Sequence, residues 1–166
     1  TLIRSYNHTM ARVYLETSFV SACVTDREDV ASLYRREVSN RWWTTQRHRH
    51  ELVISQEVVE ELSRPGFRRS AEALALVASV PFLDIDDEAA GVAELFVRER
   101  VMPQPARGDA LHIAVCCVRA VDCVLSWNVR HLANPAKVDH LRRICARLGL
   151  IPPVILTPDN YFWEDA

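Results

Sequence analysis

Short apolar runs alternate along the chain with longer stretches in which apolar residues recur every three or four positions. Residues 13–15 read as a strand that passes through Glu16, Thr17 and Ser18 into a second apolar run with helical character. Val30, Leu33, Tyr34, Val38 and Trp42 share one helical face. Residues 52–54 read as a second strand, with Ser55 placed to cap the following helix, which "RPGF" at 64–67 ends. Residues 70–79 predict another helix and 82–85 a third strand. Asp86 is placed to cap a helix reaching about residue 100. Pro103 and Pro105 break the chain before a helix over 109–120. A fourth strand over 123–125 follows, then a helix over 136–148 stopped by Gly149 and a last short strand over 154–157.

Strand–helix alternation of this kind predicts an α/β sandwich around a mostly parallel sheet. Ligands of such sheets bind beyond the carboxyl ends of the strands. Glu16 leaves the first strand at that edge. It is either a helix cap or part of a site, and Thr17 and Ser18 are alternative caps. Asn128 follows the fourth strand, Asp109 opens the helix leading into it, and Glu57, Glu60 and Glu61 lie on the helix after the second strand. Carboxylates from distant parts of the chain are thereby expected at one end of the sheet. Such a cluster is costly unless cations neutralise it. Oxygen-rich sites of this type take Mg²⁺ or Mn²⁺, and these ions support hydrolysis of a nucleic-acid backbone.

Composition narrows the field. The chain has 166 residues, 49% of them apolar, 25% charged and with a net charge of −2, which suits one soluble domain without a global basic field. Residues 1–9 lack periodicity and read as a tag or a disordered extension, leaving 10–166 as the single domain. No apolar run reaches the ~18 residues of a membrane span and no secretory leader opens the chain, so a cytoplasmic location is expected. Lys137 is the only lysine among the 20 basic residues. Arginine suits phosphate contacts, although genome composition produces the same bias. The five cysteines form no C-x-x-C and read as reduced core thiols.

"VYLETS", "VISQEVVEEL", "DALHIAVC" and "VLSWNVRHLAN", in this order, resemble the four signature blocks of PIN domains, and within them VapC-type toxins of bacterial toxin–antitoxin pairs. The resemblance runs over residues 12–159. It implies a PIN-like three-layer α/β/α sandwich and a Mg²⁺- or Mn²⁺-dependent endoribonuclease. It further implies an RNA substrate, a cognate antitoxin that covers the acidic site, and a homodimer. By position, the family's acids fall on Glu16, Glu61 (rather than Glu60), Asp109 and Asn128, with Glu16, Asp109 and Glu61 as the metal ligands. Ser18 matches a small polar residue that supports the first acid. Two positions depart from the family's commonest pattern: Glu stands for Asp at 16, and Asn removes a charge at 128.

Further residues carry two readings each. His112, one turn after Asp109, either faces the site or is a structural histidine. Arg130 and His131, in what reads as a loop after Asn128, either hold phosphate or RNA backbone or are solvated. With Ser18 they form the expected substrate-contacting set. Glu57 and Glu60 compete with Glu61 or are solvated, Glu57 favouring the helix dipole. "RWWTTQRHRH" at 41–50 mixes aromatics and cations as nucleic-acid binders do, although Trp42 suits core packing or a dimer. "LDIDDEA" at 83–89 is faintly similar to a D-x-D phosphotransfer motif but reads as a strand followed by an acidic first turn. The alternative function is a catalytically weak PIN domain that binds RNA or protein. A receiver-like phosphoacceptor would want an acidic pair after the first strand and a late lysine. A Rossmann nucleotide binder would want G-x-G-x-x-G, which four glycines do not supply.

Overall fold

Five parallel strands run in the order β3-β2-β1-β4-β5. The structure is a computed structural model and describes residues 10–161; the extension expected over 1–9 lies outside them. The elements in chain order are β1 (Arg12–Leu15), α1 (Thr17–Val24), α2 (Val30–Gln46), β2 (Glu51–Ser55), α3 (Gln56–Leu62), α4 (Ser70–Val77) and β3 (Phe82–Leu83). They continue with α5 (Asp87–Arg98), α6 (Asp109–Val118), β4 (Cys123–Leu125), α7 (Val129–Leu132), α8 (Pro135–Arg147) and β5 (Val154–Leu156).

The order explains the layers. From β1 the chain steps outward through β2 to β3, then crosses back over β1 to β4 and β5. Right-handed crossovers put the helices of the two halves on opposite faces. Accordingly α1 packs with α2, α3 and α4, while α5 packs with α6. The thiols of Cys117 on α6 and Cys145 on α8 lie 3.8 Å apart. β1 and β4 are the inner strands of the two halves. Val13, Tyr14, Leu15, Val124 and Leu125 are completely buried, as in strands covered on both faces. The receiver-like order would be 2-1-3-4-5, so the sheet rules that reading out.

Several sequence expectations are corrected in detail. The third strand holds only Phe82–Leu83 at the sheet edge, where it has one neighbour and Phe82 is half exposed. α2 buries Val38, Ser39, Trp42 and Gln46, while Val30, Leu33 and Tyr34 stand exposed; its first two turns rise clear of the core. Ser55 forms no side-chain cap. Residues 129–132, expected as loop, form α7, anchored by the buried Leu132. The stop at Gly149 holds. Its φ of +69° lets Gly149 N–H reach the Ala146 carbonyl (3.2 Å) and Leu150 N–H the Cys145 carbonyl (2.8 Å), a Schellman closure. All five cysteines are buried and free; burial pushes the Cys23 and Cys123 thiols up to about 12. Trp42 is a core residue in a three-ring cluster with His50 and Tyr161, which also stack on each other at 5.1 Å. Asp86 caps α5 through Ala89 N–H (3.0 Å) and pairs with Arg119. Among the described residues no helix is long and apolar enough to cross a membrane.

Candidate active site

The winding of the sheet reverses between β1 and β4, and in open α/β sheets that switch point opens a crevice beyond the carboxyl ends of the strands. Glu16 is the first residue past β1 and Ser126 the first past β4. The backbone N–H of Glu16 donates to the Leu125 carbonyl at 3.2 Å, so the two ends are tied together. Glu16 is the N-cap of α1 in extended conformation and is 4% exposed. Its Oε2 accepts from the Ser18 N–H (3.0 Å), the Ser18 hydroxyl and the Ser126 hydroxyl (2.7 Å). Each serine also accepts a backbone N–H from the loop after β4, Ser18 from Trp127 (2.8 Å) and Ser126 from Asn128 (2.9 Å). Glu16 is therefore both cap and site residue, and Ser18 is a support for it.

Asp109 arrives from the other half of the sheet. Gly108, at φ +64°, is the N-cap of α6, so Asp109 occupies the first helical position and does not cap. Its Oδ1 accepts from the Asn128 side-chain amide at 3.0 Å. Desolvation raises the Asp109 carboxyl above the usual aspartate range, and the nearby Glu61 adds to this. His112, His131 and the Asn128 hydrogen bond oppose it without prevailing.

Glu61 joins from α3. Its Oε1 accepts from the Thr17 hydroxyl (3.3 Å) and from His112 Nε2. Burial pushes this carboxyl up, but the hydrogen bond and charge of His112, with Arg64 and Thr17, hold it below the ordinary glutamate value. His112 is completely buried, which corrects its place in the substrate-contacting set. Its Nδ1 lies 2.5 Å from the Tyr14 hydroxyl, which lies 2.7 Å from Ser55 Oγ. Burial works against the imidazolium, yet the Glu61 hydrogen bond and the charges of Glu16, Glu61 and Glu57 keep His112 above its ordinary value. Burial drives the Tyr14 phenol well above its own, so the hydroxyl keeps its proton. Ser55, Tyr14, His112, Glu61 and Thr17 thus form one chain of hydrogen bonds beneath the cluster.

Glu57 is 2% exposed, not solvated. Its Oε1 accepts from Gly108 N–H at 2.9 Å and fixes the turn that launches Asp109. Glu60 stays exposed and pairs with Arg107 at 3.3 Å. Arg130 and His131 are exposed on α7, directly after Asn128. A cleft of about 450 Å³ lies to the side, lined by Glu57, Glu60, Phe82, Asp84, Arg107 and Leu111 among others; none of Glu16, Glu61, Asp109 or Asn128 lines it.

Three carboxylates are therefore gathered in one arrangement: each has one oxygen held, Glu16 Oε2, Glu61 Oε1 and Asp109 Oδ1, while its other oxygen accepts no hydrogen bond from a described residue. Among the described residues no three carboxylate, imidazole or thiol groups form a ready-made metal cage. An all-oxygen donor set with few protein ligands suits Mg²⁺, which keeps several waters and is commonly bound through one or two carboxylates together with substrate phosphate. Sequence reading missed Ser126 and Tyr14 as parts of this assembly, took Thr17 only as a possible cap and left Glu57 between a site acid and a solvated one. Ser126 stood in plain view two residues before Asn128, whereas nothing in the local pattern distinguishes Glu57 from a solvated first-turn acid.

No protein-family model matches the chain, and no curated protein matches it. Solved structures do. The fold is similar to VapC20 of Mycobacterium tuberculosis, a sarcin-ricin loop cleaving toxin, with a TM-score of 0.56 and 19% identity over 73% of this chain and 93% of that one. It is also similar to VapBC2 of Rickettsia felis, solved bound to a DNA fragment from their promoter, with a TM-score of 0.51 and 10% identity over 88% of this chain and 98% of that one. At such identities the likeness is one of fold: the chain has the PIN-like α/β fold of these structures.

Proposed function

We propose that this chain is a metal-dependent endoribonuclease, the toxin of a toxin–antitoxin pair. The observation that carries this reading is the meeting of Glu16, Glu61 and the Asp109–Asn128 pair at the switch point of a PIN-like sheet. Glu16 and Asp109 would hold Mg²⁺ or Mn²⁺, with Glu61 acting directly or through water. Bound there, such an ion would supply Lewis acidity toward water and the phosphodiester oxygens. Ser18 and Ser126 fix Glu16, Asn128 orients Asp109, and His112 holds Glu61, so the acids lose little freedom when substrate arrives. Arg130 and His131 offer cationic or hydrogen-bonding contacts for the backbone of the RNA substrate. A cognate antitoxin would restrain the enzyme by presenting a cationic side chain to the same acids, and the working form would be a cytoplasmic homodimer.

The test is direct: incubate the purified chain with structured RNAs in Mg²⁺, Mn²⁺ or EDTA, beside Asp109→Asn. Cleavage should need metal and be lost in the variant. Activity that persists in excess EDTA would sink the metal assignment. Harmless expression without any partner, together with failure of every neighbouring gene product to bind, would sink the toxin reading even if nuclease activity stood. A second reading, an RNA- or protein-binding module of weak catalytic power, is favoured by Asn128, which removes one charge from the cluster. It predicts RNA binding without turnover in the same assay.

A further inference from the structure

Trp127 stands between the two halves of the candidate site. Its backbone N–H holds Ser18, the support of Glu16, and the next residue, Asn128, holds Asp109. The side chain is half-buried and fixed: its indole Nε1–H donates to the buried Ser39 hydroxyl at 2.8 Å. One turn before Ser39 on the same face of α2, Arg35 places its guanidinium carbon over the indole, 5.6 Å from the ring centroid. Tyr34 meets the indole edge-on at 6.1 Å and is anchored by donating its hydroxyl to Asp159 at 3.0 Å. Both Arg35 and Tyr34 are exposed. Arg35 makes no ion pair among the described residues; its one specific contact is the indole. Asp159, the acid bonded to Tyr34, is engaged by the Tyr34 and Thr157 hydroxyls, and Glu37 on α2 also lies within electrostatic reach of the Tyr34 hydroxyl.

The core does not need this arrangement. The first two turns of α2 stand clear of it, with Val30, Leu33 and Tyr34 exposed, yet Arg35, Tyr34 and Trp127 converge there. An exposed arginine held by an aromatic face, without a carboxylate partner, keeps its donors available for an anion. Aromatic and guanidinium surfaces at the rim of an acidic site match an unstacked nucleotide, whose base has a π-face and whose phosphate has a charge. The acids repel a bare phosphodiester, so a cationic holding point beside them is what a substrate of this charge needs.

We infer that Tyr34, Arg35 and Trp127 form a subsite for one unpaired nucleotide of a single-stranded RNA segment flanking the scissile bond, the base packing on the aromatic side chains and Arg35 taking its phosphate. This rests on the ribonuclease reading for its position in the reaction, but binding at the corner can be measured without turnover. The subsite selects single-stranded over duplex RNA, because a paired base cannot leave its stack without added cost.

The experiment measures binding by fluorescence anisotropy in EDTA, on an Asp109→Asn background. The probe is a short end-labelled single-stranded RNA, with the same sequence as a duplex for comparison. Arg35→Gln should weaken binding of the single strand about fivefold to tenfold and make the salt dependence shallower by ~0.7 in log–log slope, the loss of one phosphate contact. Trp127→Leu should weaken it by ~10-fold or more, while Trp127→Phe, which keeps a ring, should retain most of the affinity. Thermal melts confirm that each variant is folded; Arg35 is exposed, so its variant carries the test if Trp127→Leu unfolds. Unchanged affinity and salt slope in Arg35→Gln overturns the inference, as does failure of the unsubstituted corner to bind the single strand or to prefer it over duplex. If the variants behave as expected but the wild-type chain cleaves no RNA with any metal, the nuclease reading fails and the subsite stands. If the wild type cleaves and both corner variants bind and cleave unchanged, the subsite alone fails.

Discussion

Asn128 donates its side-chain amide to Asp109, with 3.0 Å between Nδ2 and Oδ1. The residue that departs from an all-acid cluster therefore tethers one of the three acids. Asp109 already sits above the usual aspartate range because it is desolvated, and a second carboxylate against it would raise the electrostatic cost further.

The first prediction is that Asn128→Asp has opposite effects with and without metal. In EDTA the variant should melt lower, since a donor becomes a second acceptor; a loss of about 1–2 kcal/mol corresponds to ~2–8 °C in a domain of this size. In Mn²⁺ it should gain more than wild type, because the added charge favours the ion. Calorimetric titration should show tighter Mn²⁺ binding to the variant in the absence of RNA. Weaker binding by the variant, or two tight ions already in the wild type, contradicts this account of position 128.

Asp109→Asn should leave the fold intact and reduce metal-dependent RNA cleavage by at least ~100-fold. It removes a charge that burial disfavours, so its melting temperature in EDTA should match or exceed that of wild type. A variant that keeps wild-type turnover would remove Asp109 from the catalytic set.

Glu57→Ala tests the turn before α6. The substitution leaves Gly108 N–H without its acceptor and opens space beneath the loop, which should cost about 1–3 kcal/mol. Because Gly108 launches Asp109, RNA cleavage should also fall, with Glu57→Gln retaining more of both properties since its amide oxygen still accepts. Intact activity in Glu57→Ala, measured well below its melting temperature, would show that Asp109 is positioned without this tether.

The sheet and the acids were legible because their signals are local. Strands covered on both faces read as apolar runs, so β1 and β4 stand out, and each is followed at once by polar residues that cannot belong to the core. The order of the strands follows only from long-range pairing, and with it came the location of Glu16 at the switch point. What the chain pattern could not disclose is which polar residues are buried. Glu57 and Glu60 are three apart on one short helix, yet Glu57 meets the Gly108 backbone and Glu60 meets Arg107 in solvent. His112 lies within an apolar helix face, and its partners Tyr14 and Glu61 are 98 and 51 residues away in sequence. The corner at Arg35 and Trp127 was hidden for the same reason, since α2 and the loop after β4 meet only in the folded chain.

The last prediction concerns the buried pair of His112 and Glu61 in the metal-free protein. His112 is held above its ordinary 6.5, so its contribution is fully present below that pH and is lost as pH rises through the raised folded value. Glu61 is held below its ordinary 4.5, so its contribution is fully present above that pH and is lost as pH falls through the lowered value. The pair should therefore stabilise the fold most between pH 4.5 and 6.5. His50, whose charged form is disfavoured first by burial and then by Arg49, pulls the other way, adding stability as pH rises through its range. The comparison that isolates the pair is the difference in melting temperature between wild type and His112→Gln in EDTA. That difference should be largest on the plateau and shrink as pH rises above 6.5 through the raised His112 value, while Tyr14→Phe, which removes only the hydroxyl at Nδ1, should preserve most of the pH dependence. A difference that grows steadily from pH 6 to pH 8 would mean that His112 is neutral in the native state and that Glu61 is held by geometry rather than by charge.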